Sequence, residues 1–146
     1  MNDYKISIVV SQFNQEISDE LLSGALKEYE KNVGNIENVK IIKVPGAFEI
    51  PGTVKQILKK DKVDAVLTLG SVIKGETAHF EYISSSVTDS LSRLSIETDI
   101  PVIYGILTAY SYSQAIERAK RNKLNKGGEV MKAALETINV YKNINH

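Results

Sequence analysis

The sequence predicts an α/β domain, a parallel sheet with helices on both faces. Short apolar runs alternate with helical periodicity along the chain, which is the pattern of βα units. One run, Val63 to Leu69, is almost continuously apolar, as expected of a parallel strand covered on both sides. Crossovers in such a sheet are right-handed, and its ligands sit outside the carboxyl ends of the strands.

Each element follows in turn. Ile6 to Val10 is the first strand. It leads through Ser11-Gln12-Phe13-Asn14 into a helix whose stripe is Ile17, Leu21, Ala25 and Tyr29, with Asn14 at the N-cap. Val39 to Val44 is the second strand, followed by the loop Pro45 to Glu49. A helix with Ile50, Val54, Ile57 and Leu58 comes next, and Pro51 is tolerated in its first turn. After the third strand, Val63 to Leu69, the segment Gly70 to Tyr82 enters a helix carrying Phe80, Ile83, Val87, Leu91 and Leu94. Val102 to Leu107 is the fourth strand. Ser111 and Gln114 form a capping box for a helix to about Arg121. A last helix carries Val130, Met131, Ala134, Leu135 and Ile138. The loops after Val10, Val44 and Leu69 share the carboxyl edge and should face one site.

The chain of 146 residues fits one domain, spanning residues 1–146. Lysine and arginine number 18, as do aspartate and glutamate, so nothing global points to nucleic acid or an anionic membrane. No cysteine is present, which excludes disulfides and thiolate catalysis and fits a cytoplasmic setting. Apolar runs fall well short of the roughly 20 residues of a membrane span, and the N-terminus does not read as a signal peptide.

The most informative stretch is Gly70-Ser71-Val72-Ile73-Lys74-Gly75-Glu76-Thr77-Ala78-His79. Unpaired N–H groups at a helix start make an anion cradle, and an adjacent histidine can move protons near neutral pH. Together they suggest chemistry on a phosphorylated small molecule. A nucleotide-binding phosphate loop would need Lys where Glu76 stands. No G-x-G-x-x-G follows a strand, and two histidines without cysteine give zinc too few strong ligands. His79 reads either as a surface residue or as a proton carrier. Phe13 reads as a core residue or as a stacking platform, and Glu49 as a solvated carboxylate or a binder of hydroxyls. The basic stretch Arg118, Lys120, Arg121, Lys123, Lys126 is a solvated face or supplies a phosphate ligand.

Several ordered blocks resemble the lumazine synthase family of riboflavin biosynthesis over essentially the whole chain. They are Ser11-x-Phe13-Asn14, Leu22-Ser23-Gly24-Ala25, Val44-Pro45-Gly46-Ala47-Phe48-Glu49-Ile50-Pro51, Gly70-x-Val72-Ile73-Lys74-Gly75-Glu76-Thr77-x-His79-Phe80-Glu81-Tyr82, Pro101-Val102-Ile103-Tyr104-Gly105, Gln114-Ala115-x-x-Arg118-Ala119 and Asn125-Lys126-Gly127. The resemblance implies a flavodoxin-like three-layer α/β/α subunit with a four-stranded parallel sheet. It also implies a homo-oligomer, a pentamer or an icosahedral 60-mer, with sites between subunits, and riboflavin synthase as a candidate partner. The implied reaction condenses 5-amino-6-ribitylaminouracil with 3,4-dihydroxy-2-butanone 4-phosphate. It yields 6,7-dimethyl-8-ribityllumazine and releases phosphate and water. No metal and no organic cofactor are implied.

By resemblance, Phe13 stacks on the pyrimidine with Asn14 beside it. Ala47, Phe48 and Glu49, with backbone groups around Val72 and Ile73, meet the ribityl chain. Gly75, Glu76 and Thr77 hold phosphate with Arg118 from a neighbour, and His79 moves protons. Lys126 lies near the ring, and a neighbour's Tyr104 covers the stack. Position 104 carries Tyr where phenylalanine is common, Ala119 to Leu124 replaces a glycine-rich turn, and the arm before the first strand is short. A related archaeal riboflavin synthase would lack the Gly75-Glu76-Thr77-x-His79 block. A non-catalytic shell or flavin-binding relative would be marked by loss of His79, Arg118 or Phe13, and all three are present.

Overall fold

The computed structural model describes residues 3–146. In chain order the elements are β1 (Ile6–Ser11), α1 (Gln15–Asn32), β2 (Val39–Val44), α2 (Ile50–Lys60), β3 (Ala65–Ile73), α3 (His79–Glu97), β4 (Val102–Ile103), β5 (Ile106–Ala109), α4 (Tyr112–Ala119) and α5 (Lys126–Ile144). Single 3-10 turns at Ile36–Asn38 and Ala47–Glu49 precede β2 and α2. Every strand pairing is parallel. The order is β2-β1-β3, with β4 and β5 in succession along the far side of β3.

The strands in the middle are the apolar ones, because they are covered twice. All of β1 is buried, and β3 is buried from Ala65 to Val72. Alternation sends Ile6, Ile8 and Val10 to the face packed by α1, α4 and α5, with Tyr29 and Met131. Val9 and Val66 turn to the other face, where Val54 of α2 and Val87 and Leu91 of α3 close a second core. No helix is long and apolar enough to cross a membrane, among the described residues.

Tyr29 shows how a polar atom is accommodated in the first core. Its ring is fully buried and its hydroxyl donates to the Tyr4 carbonyl at 2.6 Å. Burial pushes the hydroxyl above its ordinary 10.0, helped by the negative charges of Asp3 and Asp64 and opposed by Asn38. The folded state thus favours the neutral phenol. Its contribution is whole below pH 10 and is lost as pH rises through the folded value. Tyr29→Phe should cost about 1–2 kcal/mol at neutral pH. It should also flatten the alkaline decline in stability, checked by thermal unfolding from about pH 9 to about pH 11.

Three boundaries depart from the sequence expectation. β3 starts at Ala65 and runs on to Ile73, because β5 supplies ladder partners from Gly70 to Ile73. The glycine at 70 therefore lies inside a strand. The fourth strand is interrupted at Tyr104 and Gly105, so its position in the sheet is filled by two short pieces. α4 stops at Ala119, where Lys120 turns to an extended backbone. The expected layers and parallel sheet are otherwise as observed.

Candidate active site

The carboxyl edge of the sheet gathers the loops by backbone hydrogen bonds. Gln12 N–H donates to the Val44 carbonyl at 2.7 Å and Phe13 N–H to Pro45 at 3.0 Å, tying the first loop to the second. Asn14 Nδ2 reaches Ser71 Oγ of β3 at 3.4 Å. Lys74 N–H donates to the Ala109 carbonyl at 3.0 Å, which ties the third loop to the end of β5. Phe13, Asn14, Ala47, Phe48, Glu49, Val72, Ile73, Gly75, Glu76, Thr77 and His79 therefore stand along one edge.

Exposure separates support from contact. Val72 and Ala47 are buried, whereas Phe13 is 68% and Phe48 59% exposed. Two phenylalanines left wet on adjacent loops cost free energy unless something covers them, which favours the stacking reading of Phe13 over the core reading. Glu49 is exposed at the end of the 3-10 turn that enters α2. Gly75, Glu76 and Thr77 are exposed between β3 and α3. His79 is the first residue of α3 and is exposed, with its N–H on Thr77 Oγ1 at 3.3 Å.

Two expected details are corrected. Asn14 stands at the N-cap, yet its side chain makes no cap bond; its backbone is left-handed at φ 60°. That turn directs the amide to Ser71 instead, while the Asn14 carbonyl accepts the first helical N–H groups. The backbone around Val72 and Ile73 belongs to β3 and is not loop. Alternation in a parallel ladder points the N–H and C=O of Val72 at β5 and those of Ile73 to the opposite side. There, pairing with β1 has ended at Leu69.

Three expected residues find their partners outside this group. Arg118 is exposed on α4, with Nη1 on the Gln114 carbonyl of its own helix at 3.1 Å. Lys126 opens α5 and pairs with Glu129 at 3.1 Å. Tyr104 lies between β4 and β5, is 40% exposed, and shares a 2.9 Å hydrogen bond with Thr88 of α3. Among the described residues, none of the three side chains bonds to Phe13, Glu49 or His79. Surface depressions of about 430 Å³ along α1 and about 420 Å³ around Lys5 and Lys40 are lined by other residues.

A fourth loop, which sequence motifs alone do not single out, reaches the same edge. Tyr110 follows β5, is 72% exposed, and meets Phe80 with ring centroids 6.3 Å apart, while Lys74 Nζ lies 5.7 Å from its ring centre. The signal was available, since Tyr110 is an aromatic just past a strand's carboxyl end.

Aromatic platform, carboxylate, exposed phosphate-type loop and histidine line one sheet edge, with Lys74 at the start of that loop. Such an edge fits an α/β enzyme with a small-molecule substrate. Residues 3–142 match the family described as 6,7-dimethyl-8-ribityllumazine synthase, and the chain belongs to that family. Among its relatives, a 6,7-dimethyl-8-ribityllumazine synthase from Nautilia profundicola (strain ATCC BAA-1463 / DSM 18972 / AmH) is 42% identical over 140 residues, covering 96% of this chain and 91% of that one.

Proposed function

We infer that the protein is a transferase that condenses 5-amino-6-ribitylaminouracil with 3,4-dihydroxy-2-butanone 4-phosphate to give 6,7-dimethyl-8-ribityllumazine. Family membership over residues 3–142 is the observation that carries this reading. The placement of an exposed Phe13, Glu49, the Gly75 to Thr77 loop and His79 along one edge supports it. The test mixes purified protein with both substrates and follows lumazine absorbance. A rate above the uncatalysed background is expected, and a rate equal to background overturns the reading.

Phe13 stacks on the pyrimidine, with Asn14 at its side. Glu49 accepts from ribityl hydroxyls, next to Ala47, Phe48 and the backbone of Ile73. Gly75, Glu76 and Thr77 give N–H and hydroxyl donors to the phosphate, and a neighbour's Arg118 adds a forked cation. Lys126 lies near the ring. Subunits join in a pentamer, or in a 60-mer built from pentamers, in the cytoplasm. The exposed edge on one chain, and an exposed Arg118 that bonds only to the Gln114 carbonyl of its own helix among the described residues, support sites shared between neighbours.

The substrate amine attacks the ketone, and water leaves as the imine forms. Loss of a carbon-bound proton then expels phosphate, and closure of the second ring releases another water. Protons move one at a time through these steps, which suits an exposed imidazole at the loop. Amine and ketone are reactive by themselves, so holding them together supplies much of the acceleration. His79→Ala should slow turnover by on the order of tenfold to hundredfold and leave measurable activity. Complete loss in a normally assembled variant contradicts that role.

A further inference from the structure

The break between β4 and β5 has one visible author, a threonine hydroxyl. Register is the same on both sides of it: Val66 pairs with Val102 and Leu67 with Ile103, then Gly70 with Ile106 and Ser71 with Leu107. No residue is inserted, so this is not a bulge. In an uninterrupted parallel ladder Gly105 N–H would donate to the Thr68 carbonyl. It donates instead to Thr68 Oγ1 at 3.2 Å, and that hydroxyl in turn donates a hydrogen bond to the Ile103 carbonyl at 2.8 Å. Thr68 is fully buried in the central strand.

The crowding around Gly105 fits this arrangement. A Cβ there would run into the Thr68 carbonyl and would come within 3.0 Å of Leu69 Cδ2 and 3.1 Å of Val130 Cγ1. Gly105 can press against β3 only because it has no side chain. The residue between the two Thr68 hydrogen bonds is Tyr104. It is held through its backbone neighbours from below and through its hydroxyl by Thr88 Oγ1 of α3 at 2.9 Å. Its ring remains 40% exposed on the outermost strand position.

We propose that Thr68 is a positioning residue for Tyr104: its buried hydroxyl holds open the ladder at Tyr104-Gly105 and so fixes the exposed ring in the orientation with which it covers the pyrimidine stack of the neighbouring subunit. Thr88 fixes the other end of the same ring. This rests on the functional reading above, together with the role over a neighbour's stack that the family resemblance implies for Tyr104.

The test compares Thr68→Val, which keeps the shape and removes the hydroxyl, with Thr68→Ser, which keeps the hydroxyl. Thr68→Val should raise KM for the pyrimidine about fivefold, the scale of one aromatic contact, and leave KM for the phosphorylated ketone within about twofold. Thr68→Ser should restore the wild-type value. In a Tyr104→Ala background Thr68→Val should have no further effect on either KM. An unchanged pyrimidine KM, or a parallel rise in both, overturns the proposal, since general loosening would not select one substrate. If Thr68→Val fails to assemble, the exposed Thr88→Val variant takes its place with the same expectation and the same overturning result. A wild-type protein that makes no lumazine defeats the functional reading instead, so the two failures are distinguishable.

Discussion

Arg118→Ala should lower kcat/KM by on the order of a hundredfold, as removal of a charged phosphate partner does. A Phe13→Ala/His79→Ala double variant should lose at least as much. Neither change should alter folding, because all three side chains are exposed on the single chain. Co-expression of the two variants with different tags should nevertheless recover about a quarter of wild-type activity. The recovery follows from counting: a shared site is whole when one subunit supplies an intact Phe13 half and its neighbour an intact Arg118. In a random equal mixture about one site in four meets both conditions. Sites contained within one chain would give only the average of the two defective enzymes. That result would remove the shared-site reading while leaving the reaction assignment standing.

Gly127→Ala should be the most damaging single change to the fold, costing about 3–5 kcal/mol. Gly127 lies in the first turn of α5, where that helix crosses α1. A methyl group on it would strike the Leu21 carbonyl oxygen, with the Leu21 carbonyl carbon at 2.7 Å and Cα at 2.9 Å. Backbone cannot move aside as a side-chain tip can. The same crossing uses Gly24, whose added Cβ would meet Asn125 Oδ1, the atom that accepts from Gly128 N–H at 3.3 Å. Asn125 is itself left-handed at φ 46° and caps α5 there. Denaturant unfolding of the purified variant checks this, and a midpoint equal to wild type contradicts it. For comparison, Gly52→Ala meets nothing within 4 Å and lies in α2. It should be neutral or slightly stabilising.

The departures from expectation share a cause. The apolar pattern located β1 and β2 to within a residue, because burial in the sheet is written into side-chain type at those positions. It ended β3 at Leu69 because glycine and serine read as loop, although β5 was waiting to pair with them. It joined Val102 to Leu107 because every one of those residues except Gly105 suits a strand; the interruption comes from Thr68, 37 positions before Gly105 in the chain. Asn14 was placed correctly at the start of α1, while the destination of its amide was decided by Ser71 on another strand.

The sequence by itself determined the layers, the parallel sheet, the edge on which the loops meet and the membership in a family. These depend on residue type and order, which local propensity and burial encode directly. Only the tertiary structure decided which polar atoms find one another across the sheet: Asn14 with Ser71, Thr68 with Ile103 and Gly105, Tyr104 with Thr88. Such pairs join residues distant in the chain, and a hydrogen bond depends on separation and angle to within tenths of an ångström. The structure likewise gave Arg118, Lys126 and Tyr104 partners other than the histidine loop, namely Gln114, Glu129 and Thr88.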